Sequence, residues 1–147
     1  MLLRDVLKEY KFDCKARKLS VKTIDGYMRM NGYLFDYLEQ KHGIYDVEQV
    51  RASHIKQFLL LKEEVGAKPQ YINDLLKVFK CYFKYCVDEE YIQTSPTAKV
   101  HNVKQPKVLI RTFNETEIRK MMNYCNGRDF VSTRNKALLA ILFDTGM

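Results

Sequence analysis

The sequence contains no apolar run approaching the roughly 18 residues that a membrane-spanning helix requires, so no span is encoded. Its start, Met1-Leu2-Leu3-Arg4-Asp5, acquires charge at once and has no apolar signal-peptide core, and the expected compartment is the cytoplasm. Cysteine is scarce and unpatterned. Cys14, Cys81, Cys86 and Cys125 form no Cys-x-x-Cys pair and no zinc-ligand spacing with His42, His54 and His101, so reduced, space-filling thiols are expected. The three histidines are widely separated and read as surface or partly buried residues. No repeat or low-complexity tract is present. With no nucleophile–base pair and no metal constellation, the residues argue against a small self-contained enzyme, and no cofactor is expected.

What is present is ordinary globular material with an uneven charge. Hydrophobic residues make up 46% of the 147 positions, enough for a core, and charged residues make up 29%. The net charge of +7 suits a polyanionic partner without establishing one. Its distribution says more. From Tyr91 to Asn114 there is no acidic residue, while Lys99, Lys104, Lys107 and Arg111 stand in that stretch. Two of the three prolines, Pro96 and Pro106, bound a segment that lacks a sustained apolar period, and a linker is placed there. The resulting division is residues 1–95, a linker over 96–112, and residues 113–147.

The apolar periodicity predicts helices throughout. The first covers about residues 2–18, with Leu3, Val6, Leu7, Tyr10 and Cys14 at helical spacing. Ser20 is a candidate N-cap for a second helix that reaches about residue 41 and stops at Gly43, with Ile24, Met28, Leu34, Phe35 and Leu38 as its stripe. A third is expected over residues 52–65, with Ser53 as a candidate cap and Gly66 as the stop. Pro69 suits the first turn of a fourth, ending near residue 89. After the linker, Asn114 caps a helix to about residue 124, with Ile118, Met121 and Met122 inward. A last helix starts near Ser132 or Thr133 and is nearly all apolar after Lys136.

Two helices carry polar faces with possible chemistry. At 100° per residue, Ile72, Leu75, Leu76, Phe79, Tyr82, Phe83 and Cys86 occupy one arc of the fourth helix. Asn73, Lys77, Lys80 and Lys84 stack on the other side, either as a solvated lysine face or as one that contacts phosphates. On the second helix, Lys22, Gly26, Arg29 and Tyr33 lie opposite the apolar stripe. Glycine inside a helix costs about 1 kcal/mol against alanine, and close approach of another backbone is one reason to keep it.

Several stretches then read together. Leu19-Ser20-Val21-Lys22-Thr23-Ile24-Asp25-Gly26-Tyr27 is similar to the Ser-x-x-Thr-x-x-x-Tyr entry to the second core-binding helix of tyrosine recombinases, the phage and transposon integrase family. The run from Tyr71-Ile72-Asn73 to Tyr82-Phe83-Lys84-Tyr85 resembles that family's fourth helix, and Tyr91-Ile92-Gln93-Thr94-Ser95-Pro96 its exit into the linker. Phe113-Asn114-Glu115-Thr116-Glu117-Ile118 parallels the start of the catalytic domain. Thr133-Arg134-Asn135-Lys136 through Asp144-Thr145-Gly146-Met147 looks like the helix and turn that precede the first catalytic arginine. Tyr71, Asp74 and Ser95 depart from the usual residues at their positions.

The resemblance implies an all-α architecture: a four-helix, SAM-like core-binding domain, a linker and two helices of a catalytic domain. It implies cleavage of DNA by a tyrosine nucleophile, with arginine, lysine and histidine donors stabilising the phosphorane and with no obligatory metal or nucleotide. None of those catalytic groups stands in its matching context here, since the arginine would follow Met147. What the resemblance leaves to this chain is double-stranded DNA binding, by Ser20, Lys22, Thr23, Gly26 and Arg29, by Asn73, Lys77, Lys80 and Lys84, and by linker residues Lys99, Lys104, Lys107 and Arg111. Self-association on DNA, as a tetramer in a full-length parent, is the other implied partnership. A helical protein–protein module docking through residues 137–143 is the alternative.

Overall fold

The computed structural model describes residues 1–104 and 112–146, and among these the ordered elements are helical. They are α1 (Leu3–Ala16), α2 (Val21–His42), α3 (Ala52–Glu64), α4 (Pro69–Asp88), α5 (Glu115–Tyr124) and α6 (Phe130–Thr145), with one 3-10 turn at Val47–Gln49. No strand is formed among the described residues beyond an isolated bridge between Leu2 and Asp46. No described helix is long and apolar enough to cross a membrane. The chain divides into two compact units, Met1–Pro106 and Lys107–Met147.

In the first unit α4 is the central element. Every residue of its expected apolar arc is buried, and Val78 joins them. α1 contributes Leu3, Val6, Tyr10 and Cys14, and α2 contributes Ile24, Leu34, Phe35 and Leu38, while Met28 and Leu7 are only partly covered. Aromatic rings tie the helices together. Tyr82 packs edge-on to Phe35 at 5.3 Å and to Tyr10 at 5.6 Å, and its hydroxyl donates to the Leu3 carbonyl at 3.2 Å. Burial raises the Tyr82 and Tyr10 phenols above their ordinary range and pushes the Cys86 thiol up to about 12, so these groups stay neutral. All four cysteines are free thiols, with Cys14 and Cys86 buried and Cys81 and Cys125 half-covered.

The ends of α2 follow their local chemistry. Ser20 caps it, accepting from the Thr23 N–H at 3.2 Å. Gly43 closes it at φ 61°, the left-handed conformation that glycine adopts without steric cost. One cap and one start differ from the sequence reading. α3 is capped from Arg51, not Ser53. The Arg51 N–H donates to the His54 ring Nδ1 at 3.2 Å and the His54 N–H donates to the Arg51 carbonyl at 3.1 Å, while Ser53 already lies inside the helix. α6 begins at Phe130 because Asp129, ahead of the expected Ser132 or Thr133, accepts from the Ser132 N–H at 3.0 Å and the Ser132 hydroxyl at 2.6 Å.

The His54 cap makes the first unit sensitive to pH. Its Nδ1 accepts only when unprotonated, and its ring lies 4.8 Å from that of His42. Partial burial, then His42 and Arg51, hold its pKa below the ordinary 6.5. The folded value lies below the unfolded one, so its contribution is complete above the unfolded value and is lost as pH falls from there through the folded value. Urea melts between pH 8 and 5 should show stability declining at the acid end, and His54→Gln, which keeps an acceptor but does not titrate, should flatten that decline. Equal pH dependence in both proteins would remove His54 as its source.

In the second unit Asn114 and Glu117 form a reciprocal cap on α5, at 2.9 Å in both directions. Phe113 and Phe143 meet edge-on at 6.4 Å. Ile118, Met121 and Met122 are half-covered, and none of the unit's described residues is buried. Leu138, Ile141 and Leu142 remain about half exposed, at 52%, 51% and 48%.

Candidate nucleic-acid interface

α4 has one buried face, so the residues opposite it must point outward. Lys77, Lys80 and Lys84 do so, and with Gln70, Asn73, Asp74, Cys81 and Asn102 they line an open groove. Lys84 reaches Asp88 at 3.3 Å, whereas Lys77 and Lys80 carry no ion pair among the described residues. Asp74 is held by Gln70 at 3.1 Å, which leaves an acidic group inside the otherwise basic groove.

Asn73 is differently placed from the reading of it as another free donor. Its amide nitrogen donates to the Val103 carbonyl at 3.0 Å, and its oxygen accepts from the Val103 N–H at 2.8 Å. Val103 is partly covered, Thr97 and Val100 are buried, and Lys99 and Lys104 are exposed on the same returning segment. Residues 97–103, read as linker, thus pack onto the first unit. Lys107 and Arg111 lie outside the described residues.

On α2, Lys22 and Arg29 are exposed and Gly26 is partly so. Ser20 and Thr23 are joined hydroxyl to hydroxyl at 2.8 Å, so both already serve the helix start. Among the described residues, a Cβ placed at Gly26 or at Gly32 would meet nothing within 4 Å, so no packing there requires either glycine. Gly26→Ala and Gly32→Ala should each stabilise the first unit by about 0.5–1 kcal/mol in urea melts. If a nucleic-acid backbone approaches the Lys22 face, Gly26→Ala alone should also weaken duplex binding, because Gly32 lies off that face. Equal affinities for the two variants would argue against close approach at Gly26.

Partial burial, then the neighbouring Cys81 beside Lys80, raises the phenol of Tyr27, which stands beside Gly26. The two candidate segments therefore meet through this pair. Sequence reasoning missed Lys62 of α3, whose ammonium sits 5.8 Å from the Tyr33 ring centre and 5.1 Å from that of Phe58. This places a further cation beside the outer face of α2, and no local pattern announces it because the partners belong to different helices.

The fold is shared with solved integrases. The chain aligns over 100% of its length with the Tn1549 transposon integrase in complex with a circular intermediate DNA, at a TM-score of 0.71 and 18% identity, covering 45% of that chain. It aligns over 88% of its length with the lambda integrase dimer bound to a core site, at a TM-score of 0.64 and 18% identity, covering 35% of that chain. Among sequences, it resembles tyrosine recombinases. It is 28% identical over 136 residues to tyrosine recombinase XerD of Halalkalibacterium halodurans, 92% of this chain and 46% of that protein. It is 22% identical over 129 residues to tyrosine recombinase XerD of Listeria innocua, 88% of this chain and 43% of that protein. No family model matches. The chain spans less than half the length of these relatives.

Proposed function

We propose that this chain is the DNA-binding portion of a site-specific tyrosine recombinase, holding duplex DNA for strand exchange without supplying the catalytic residues. The observation that carries this reading is the division of α4 into a wholly buried apolar face and an outward groove with Lys77, Lys80 and Lys84. A helix so anchored presents its cations at fixed spacing, which favours phosphate contacts that position a protein on a duplex. The likeness to integrases solved with DNA supports the same partner.

In this reading residues 1–95 are the core-binding domain, 96–112 the linker and 113–147 the opening of the catalytic domain. Lys22, Gly26 and Arg29 contact the duplex from α2, with Ser20 and Thr23 at its capped start. Lys77, Lys80 and Lys84 contact it from α4, and Lys99, Lys104, Lys107 and Arg111 along the linker. The protein acts on DNA in the cytoplasm, and a longer parent would assemble on it as a tetramer. Affinity of the chain alone is on the order of micromolar and falls with salt.

The half-exposed Leu138, Ile141 and Leu142 favour a second reading, a helical module that docks a protein through α6. Mass measurement in solution, with and without a labelled duplex, separates the two. A complex with duplex supports DNA binding, and self-association without any duplex complex supports the module.

A further inference from the structure

We infer that Asn73 is a positioning residue of the DNA-contacting surface, strapping residues 97–104 along α4 so that the returning chain extends the lysine groove. The inference rests on the DNA-binding reading above and deepens it. Asn73 bonds both backbone groups of one residue thirty positions away, at 3.0 Å and 2.8 Å. Such a reciprocal pair imitates the pairing of two backbone strands and fixes the register of the segment, which a single hydrogen bond would leave free to turn. A second anchor lies upstream. Thr97 and Val100 are each 3% exposed, and the turn between them is closed by the Val100 N–H to the Thr97 carbonyl at 3.0 Å.

Between and beyond these anchors the strap presents polar groups outward. Asn102 lines the groove together with Lys77, Lys80 and Lys84, and Lys104 follows directly on the clasped Val103. Releasing the clasp would free Lys104 from its place beside α4 while leaving the α4 lysines untouched. A cation on a loose segment loses more conformational freedom on binding a phosphate than one already held, so docking strengthens the contact.

The test uses the full chain and three variants, Asn73→Ala, Val103→Pro and the double. Val103→Pro removes the N–H that Asn73 accepts and leaves the asparagine in place. Amide exchange should show Val103 protected in the unchanged protein and exchanging about tenfold faster or more in Asn73→Ala. In titrations of a labelled duplex, each single change should weaken binding and lower the log–log salt slope by about one, the share of one phosphate contact. The double variant should lose no more than the larger single effect, because both changes break the same clasp. An unprotected Val103 amide overturns the inference, as does faster exchange with unaltered affinity and slope. If Asn73→Ala weakens binding and Val103→Pro does not, Asn73 touches the duplex itself and the inference is also overturned. Absence of duplex binding by the unchanged protein overturns the DNA-binding reading itself, and is recognised because the Val103 amide remains protected.

Discussion

Changing Lys77 and Lys80 together to glutamate should lower affinity for duplex DNA by about 100-fold at about 50 mM salt, and should reduce the salt slope by about two. The magnitude follows from where the side chains stand. Both are exposed on the groove side of α4, and neither has an ion-pair partner among the described residues that would already neutralise it. Each can therefore displace a condensed counterion from the duplex, and reversing its sign adds repulsion to the lost contact. Lys84 serves as the internal comparison, since its pairing with Asp88 at 3.3 Å reduces what it can give to a phosphate. The same double change should leave the urea midpoint within about 0.5 kcal/mol of the unchanged protein, as expected of surface substitutions. Filter binding or fluorescence anisotropy reads the first effect and circular dichroism the second. Loss of binding accompanied by loss of fold would remove the groove as the explanation.

Phe35→Ala should have the opposite profile. Phe35 is wholly buried, its ring 5.3 Å from Tyr82, at the junction of α2 with the central helix. Truncating a buried phenylalanine costs about 3–5 kcal/mol, through lost transfer free energy and the cavity left behind. A domain of this size is stable by only about 5–15 kcal/mol, so the change removes a large part of the total. Tyr82→Phe sets the scale for the polar contribution. It keeps the ring and deletes only the hydrogen bond to the Leu3 carbonyl, for about 1 kcal/mol. Urea denaturation of the three proteins should rank them unchanged, Tyr82→Phe, Phe35→Ala. If Phe35→Ala costs no more than Tyr82→Phe, the packing around α4 is not as described.

Much of the fold was legible because helices are local. The 100° periodicity of α4 identified its seven buried arc residues, and Ser20, Gly43 and Asn114 marked helix ends through bonds spanning only a few residues. The start of α3 was read correctly but its cap was not, and the start of α6 was misread where two polar residues competed for one cap. Asp129 outbids Ser132 because a carboxylate accepts from both the N–H and the hydroxyl of that residue. Asn31 shows a different limit. It is fully buried in α2, donating to the Tyr27 carbonyl at 2.9 Å, in a position that polarity alone assigns to the surface.

The candidate interface was legible in part for the same reason. Lys77, Lys80 and Lys84 share a face by spacing alone, and their exposure follows from burial of the opposite arc. What Asn73 does could not be read, since its partner lies thirty residues away in a stretch with no apolar period. Val100 entered the core by the same route, one apolar residue docked by tertiary contact. Lys62 beside Tyr33 likewise depends on the packing of α3 against α2.

The central claim is that this chain holds duplex DNA through fixed cations on α2, α4 and the strap. Its most direct test is the affinity of the unchanged protein for a labelled duplex across a range of salt concentrations. With about five phosphate contacts, the log–log slope should be about −4 to −5, with affinity on the order of micromolar at the lowest salt. No detectable binding at low salt, or an affinity indifferent to salt, would contradict it.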